Sequence, residues 1–145
     1  MEFRGGKGNL YEGGLRIPFL VQWPGRIRGG QVSDLMFAQY DILATLTGLA
    51  GARTPKDTDG ISILPTLLGE EAAGHKQATH PPFYWEFGNM QAVRLNNWKG
   101  VHIRNKQSWE LYDLKEDISE TTNLAIKHPE VIARMNKIIA ESHEP

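Results

Sequence analysis

Phe83-Tyr84-Trp85-Glu86-Phe87, Gln91-Ala92-Val93-Arg94-Leu95, Trp98-Lys99-Gly100-Val101-His102-Ile103-Arg104 and Trp109-Glu110-Leu111-Tyr112-Asp113-Leu114 are four short runs rich in aromatic and β-branched residues. Such side chains suit a pleated, half-buried surface. Gly88-Asn89, Asn96-Asn97 and Asn105-Lys106-Gln107-Ser108 separate them. Connections this short force neighbouring strands to run antiparallel, which predicts a four-stranded meander with one face packed and one wet. Downstream, Pro129 is suited to a first helical position, where its missing N–H is no loss. Val131, Ile132, Met135, Ile138 and Ile139 then line one stripe, predicted to cover the meander, and Glu130 with Arg134 is an expected i,i+4 ion pair.

Upstream the character changes. Arg4-Gly5-Gly6-Lys7-Gly8-Asn9-Leu10-Tyr11-Glu12-Gly13-Gly14 holds five of the fifteen glycines, a density that suits a sharply turning loop. Leu15-Arg16-Ile17-Pro18-Phe19-Leu20-Val21-Gln22-Trp23 carries apolar residues at odd and even positions alike, the pattern of a strand covered on both faces. Asp41 reads as the N-cap, and Gly51 as the stop, of a helix whose apolar positions 42, 43, 46, 49 and 50 share a face. Ile61–Gly69 is a short apolar segment or helical turn, and Glu70–Pro82 reads as a polar linker. The expected class is α/β giving way to α+β: the last strand and helix of an α/β domain over residues 1–74, then an antiparallel-sheet subdomain with its terminal helix over 75–145.

Composition narrows the chemistry. The 145 residues are 40% hydrophobic and 23% charged, and 16 basic against 17 acidic residues leave a net charge of −1. No Lys/Arg cluster stands out to neutralise phosphates, so no nucleic-acid partner is expected. No apolar run approaches the roughly 20 residues of a membrane span, and Met1–Gly6 lacks the apolar stretch of a secretion signal. Without cysteine there is no disulfide framework, thiolate zinc site or cysteine nucleophile.

The histidines at 75, 80, 102, 128 and 143 show no metal-ligand spacing and read as solvated surface, and the serines lack the strand–turn–helix context of a nucleophile. Asp57 and Asp59 are far short of a metal cage. Gly5-Gly6-Lys7-Gly8 is not a phosphate-cradling P-loop, because the upstream glycine and the Ser/Thr after the lysine are missing. Lys7, set between glycines, is the one residue placed to bring a mobile ammonium and exposed backbone to an anion; its pattern alone favours a solvated lysine in a loop.

Arg4-Gly5-Gly6-Lys7-Gly8-Asn9-Leu10-Tyr11-Glu12-Gly13-Gly14-Leu15-Arg16-Ile17-Pro18, followed by Trp23-Pro24-Gly25, resembles the second signature region of the sulfatases. The likeness continues through Ser33-Asp34, Asp41–Leu46, Leu49-Ala50-Gly51, Asp59–Pro65 and Leu68-Gly69. Ala92-Val93-Arg94, Trp98-Lys99, Glu110–Leu114, Glu120 and Asn123-Leu124-Ala125 resemble the family's C-terminal subdomain. Asp117-Ile118 departs from the Asp-Pro usual there.

The resemblance implies the C-terminal portion of a sulfate-ester hydrolase of the alkaline-phosphatase superfamily. The parent would use a formylglycine nucleophile, made within Cys/Ser-x-Pro-x-Arg, and a calcium ion held by Asp and Asn. This sequence has no such motif, so by resemblance only Lys7, the lysine that contacts the sulfate group, matches a family active-site residue; no metal ligand carries over. Tyr11, Glu12 and Arg16 read as structural. The expectations are a chain inactive alone, supplying Lys7 and pocket walls, that self-associates or associates with a missing N-terminal part through its unpaired apolar strand. By resemblance the parent would be periplasmic, secreted or lysosomal. Two alternatives stay open: a portion of a related phosphatase or phosphonate-ester hydrolase, and a non-catalytic module that binds sulfated glycans through Lys7, Trp85, Trp98 and Trp109.

Overall fold

The structure, a computed structural model, describes residues 2–143. Its contacts group the described residues up to Pro18 with those from Pro81 onward in one compact unit, and Phe19–His80 in a second. The Gly-rich loop thus joins the sheet rather than the neighbouring residues 19–80, unlike a division at 74/75.

In the first unit, β1 (Phe83–Phe87), β2 (Met90–Leu95), β3 (Trp98–Ile103) and β4 (Ser108–Asp113) form the antiparallel meander in sequence order. The hairpins turn where the polar pairs foretold: Phe87 faces Met90 across Gly88-Asn89, and Leu95 faces Trp98 across Asn96-Asn97. Gly88 and Asn96 sit at φ 59° and 54°, a left-handed region that these two residue types enter most readily. Helix α5 (Pro129–Ser142) lays Val131 and Met135 on Val93, Leu95 and Leu111, with Ile132, Ile138 and Ile139 partly buried beside them. Gly100 permits the close approach, since a Cβ there would lie 2.3 Å from the Met135 sulfur. No Glu130–Arg134 pair forms: the Glu130 carboxylate lies 3.2 Å from His128 Nδ1.

The second face of the sheet is not wet. Leu10, with Tyr11 and Leu15, packs on Ala92, Val101, Trp85 and Met90, so neighbouring residues of β2 and β3 are buried on opposite sides. What the alternation could not show is that the N-terminal loop, about 70 to 90 residues away in sequence, supplies the cover.

In the second unit, α2 (Asp41–Leu49), α3 (Leu64–Leu68) and the short α4 (Glu70–Ala73) surround a small core containing Ala44, Ile63 and Leu64. The expected linker thus contains one helical turn. Asp41 is not an N-cap but a buried hub: its carboxylate accepts the amides of Ala38 (2.7 Å) and Ile61 (2.8 Å) and meets His80 Nε2 at 2.9 Å. Buried His80 therefore corrects the solvated reading of that residue, and a clasp made between residues 39 apart leaves no local signature. The leucine face of α2 is also reversed from expectation, with Asp41, Ala44 and Thr45 inside and Leu43, Leu46 and Leu49 between 42% and 56% exposed. Nor does Leu15–Trp23 form a strand: Leu15 closes the short helix α1 (Glu12–Leu15), and residues 16–23 are irregular, with Ile17 69% and Leu20 93% exposed. A strand exists only against a neighbour, and the described residues offer this one none.

Candidate functional site

Two sets of charges fasten the Gly-rich loop to the sheet. The guanidinium of Arg4 donates to Glu110 Oε2 (3.0 Å), the Tyr112 hydroxyl (2.5 Å) and the Glu120 carbonyl (3.2 Å), and lies 4.0 Å above the Tyr11 ring. Tyr11 and Tyr112 both donate to Glu110 Oε2, at 2.8 and 2.5 Å. Burial first, then these bonds to a carboxylate, push the Tyr11 phenol up to about 12 and raise that of Tyr112.

The second set centres on the buried side chains of Glu12, Lys99 and Glu120. Glu12 receives the ammonium of Lys99 at 2.8 Å and the Arg16 guanidinium at 2.7 Å, with Arg94 at 4.0 Å. Its own amide donates to Glu120 Oε2 at 2.7 Å, and Glu120 Oε1 lies 3.7 Å from Lys99. Burial disfavours ionised Glu12, but Lys99, Arg16 and Arg94 outweigh it and hold its carboxyl below the usual range. Glu120, with one oxygen lacking a hydrogen bond, is pushed up by burial despite the Glu12 amide and Lys99. Removing one member of such a cluster strands a buried charge, so the loop has one seating on the sheet. Gly13 and Gly14 let its ends cross: a Cβ on Gly14 would lie 2.1 Å from the Asn9 carbonyl, and one on Gly13 2.6 Å from that of Arg4. Tyr11, Glu12 and Arg16 are therefore structural, as expected. Arg4, to which the sequence assigned no role, is a fastener too.

Lys7 lies at the tip of this pinned loop. It is exposed, and it is absent from the ion pairs that hold Arg4, Arg16, Arg94 and Lys99. With Asn9, Leu10 and Leu15 it lines one side of an open groove of about 360 Å³, whose other side is Trp85, Glu86 and Phe87 of β1. The site residue named from sequence thus faces one of the three tryptophans considered with it. Trp98 and Trp109 pack instead on the α5 side of the sheet, Trp98 against the His128 ring at 4.7 Å and Trp109 against that of His102 at 5.0 Å. Among the described residues, no group of three or more His, Cys, Asp or Glu side chains could hold a metal ion. No described helix is long and apolar enough to cross a membrane.

Residues 6–144 match the family described as N-sulphoglucosamine sulphohydrolase, C-terminal. An N-acetylgalactosamine-6-O-sulfatase of Bacteroides thetaiotaomicron is 31% identical over 94% of this chain and 29% of its own length. Arylsulfatase G of Rattus norvegicus is 28% identical over 93% of this chain and 30% of its own. A solved structure, described under the metabolism of multiple glycosaminoglycans by Bacteroides thetaiotaomicron, superposes with a TM-score of 0.80 at 30% identity, covering 96% of this chain and 31% of that one. This chain therefore spans about 30% of the length of the relatives it matches. It belongs to the sulfatases, matching the C-terminal part of the family.

Proposed function

We propose that this chain is the C-terminal portion of an enzyme that hydrolyses sulfate esters, in which the ammonium of Lys7 binds the sulfate group. The observation that supports this most directly is an exposed cation outside any ion pair among the described residues, held on a loop whose neighbouring charges are all engaged in fastening it. The side chain is left out of the ion pairs that fasten the backbone beneath it, the preorganisation on which anion stabilisation depends. Residues 1–74 would then complete the α/β catalytic domain, and the exposed Ile17, Leu20, Leu43 and Leu46 would be covered by the rest of that protein.

Family resemblance further suggests a formylglycine nucleophile and a calcium ion. The residues of this chain do not fit a calcium site, since the described carboxylates include no suitable group, and no Ser here begins Ser-x-Pro-x-Arg. Both would be supplied from outside these 145 residues. The chain's own contribution is binding and orientation: Lys7 donates hydrogen bonds to sulfate oxygens, and the networks at Arg4 and Glu12 keep it there.

The test is substitution of Lys7 in the complete enzyme that contains this sequence. Lys7→Ala should lower kcat by about 10²-fold or more, the scale seen when one donor to a developing anion is lost. Retention of kcat within about threefold would refute the role of Lys7. The 145 residues alone should show no turnover of an aryl sulfate ester; measurable turnover would show that the nucleophile lies within them.

A further inference from the structure

Arg4 and Glu12 fasten the two limbs of the Gly-rich loop, and its tip needs a hold of its own. Lys7 lies three residues beyond Arg4 and five before Glu12, between Gly6 and Gly8. A Cβ on either glycine would meet nothing within 4 Å. Glycine has the widest backbone freedom of any residue, so the pair uncouples Lys7 from the fastening on both sides. Glu86, the acidic residue of the groove's opposite wall, is engaged by Arg104 at 2.6 Å and by His143 at 2.9 Å rather than by Lys7. What sets the direction of the ammonium must therefore act within the turn itself.

Asn9 acts there through backbone and side chain together. Its N–H donates to the Gly6 carbonyl at 3.3 Å, closing a four-residue turn with Lys7 at the second position. Gly8 fills the third at φ 90°, near the roughly +80° that a type II turn requires there. The side chain then grips the same residue, since the Gly6 amide donates to its oxygen at 3.3 Å. With the side-chain amide turned to satisfy both of its ends, its nitrogen also donates to the Gly6 carbonyl at 3.2 Å. On its other side the Asn9 carbonyl abuts Gly14, where a Cβ would lie 2.1 Å away, and the next residue, Leu10, is buried against the sheet. Asn9 is thus the joint between the seated loop and its tip. Resting on the reading of Lys7 as the sulfate ligand, we propose that Asn9 is the positioning residue that holds Lys7 toward the sulfate group. It touches no reacting atom. It raises the fraction of molecules whose ammonium already points at the ligand, and apparent affinity scales with that fraction.

The experiment compares Asn9→Ala, Lys7→Ala and the double variant of the complete enzyme that contains this sequence. Asn9→Ala should lower kcat/KM about threefold to tenfold, the scale of one lost hydrogen bond, and leave the melting temperature within about 2 °C. Where Lys7→Ala is already present, the same substitution should change kcat/KM by less than about twofold, because a positioning residue acts only through what it positions. In the 145-residue chain, Asn9→Ala should hasten hydrogen exchange at the Gly6 amide. The Gly13 amide, which donates to the Arg4 carbonyl at 2.8 Å, should exchange as before. A loss smaller than about threefold for Asn9→Ala overturns the inference and leaves Lys7 in its role. So does an equal loss with and without the Lys7 ammonium, which would make Asn9 a residue of the fold alone, and so does an unchanged Gly6 amide. If Lys7→Ala itself changes kcat by less than about threefold, the reading of Lys7 fails and this inference with it.

Discussion

The sheet unit encloses Lys99 and Glu120 fully and Glu12 almost so, whereas the unit of residues 19–80 leaves Leu20 and Val32 almost wholly, and Leu43 and Leu46 about half, in water. One buries a cluster of charges, and the other, beside its buried Asp41–His80 clasp, displays apolar surface. Ionised groups persist inside the sheet unit because each meets an opposite charge or a backbone donor, and that pairing replaces a larger apolar core. The displayed leucines lie on one face of α2 while its polar and small face packs inward. The contrast predicts that substitutions in the two units act differently, on stability in the first and on exposed surface in the second.

Removing the central cation of the sheet unit should separate the two most sharply. Lys99→Ala leaves Glu12 and Glu120 facing each other in a dry site and should cost about 3–5 kcal/mol, read as a shift of the urea midpoint. Trp85, Trp98 and Trp109 all belong to this unit and Trp23 to the other, so single-tryptophan variants report each separately. A midpoint shift worth less than about 1 kcal/mol would mean that the cluster is not what seats the loop. Gly14→Ala should cost about 1–3 kcal/mol through the carbonyl it collides with. Hydrogen exchange should then quicken over residues 6–12 but not along β2 and β3.

Acid should act on the sheet unit through carboxylates of opposite sign. Glu12 and Glu110 have folded pKa values below their unfolded ones, so their contribution is present near neutrality and is lost as pH falls through the lowered values. Glu120 is raised, so its contribution is present at low pH and is lost as pH rises through the raised value. Glu120 therefore offsets part of the acid loss. Glu120→Gln keeps an acceptor for the Glu12 amide while removing that titration, and should steepen the fall in the urea midpoint between pH 7 and pH 4. A slope equal to that of the unaltered chain would show that Glu120 does not titrate in this window.

The smallest effect on stability is expected where the surface is most apolar. Leu43→Gln with Leu46→Gln should change the midpoint by no more than about 0.5 kcal/mol yet reduce self-association in light scattering. A large destabilisation would place those side chains in a core.

The meander and α5 were legible because both are local: alternation, two-residue turns and a 3.6-residue stripe carry their own instructions. Lys7, singled out by its glycine setting and family likeness, is an exposed side chain at the tip of the loop, and its role rests on the proposal made above. What stayed hidden depends on distant pairing. Glu12 meets Lys99 across 87 positions and Glu120 across 108, and His80 meets Asp41 across 39. None of these has a spacing to read. The strand expected over Leu15–Trp23 failed for the complementary reason, since a two-faced apolar pattern records the neighbours a segment requires, and the described residues contain none of them.

The outer side of β4 has a consequence for how copies of this chain can meet. Asn123 Oδ1 accepts the Leu111 amide at 3.0 Å, and the Leu124 amide donates to the Leu111 carbonyl at 2.8 Å, so returning backbone already occupies that margin. Endless stacking of sheets through backbone hydrogen bonds needs two vacant margins per molecule, one to give and one to receive. With Leu111 already satisfied on both its amide and its carbonyl, that margin of the sheet has less to offer a second strand than β1 does.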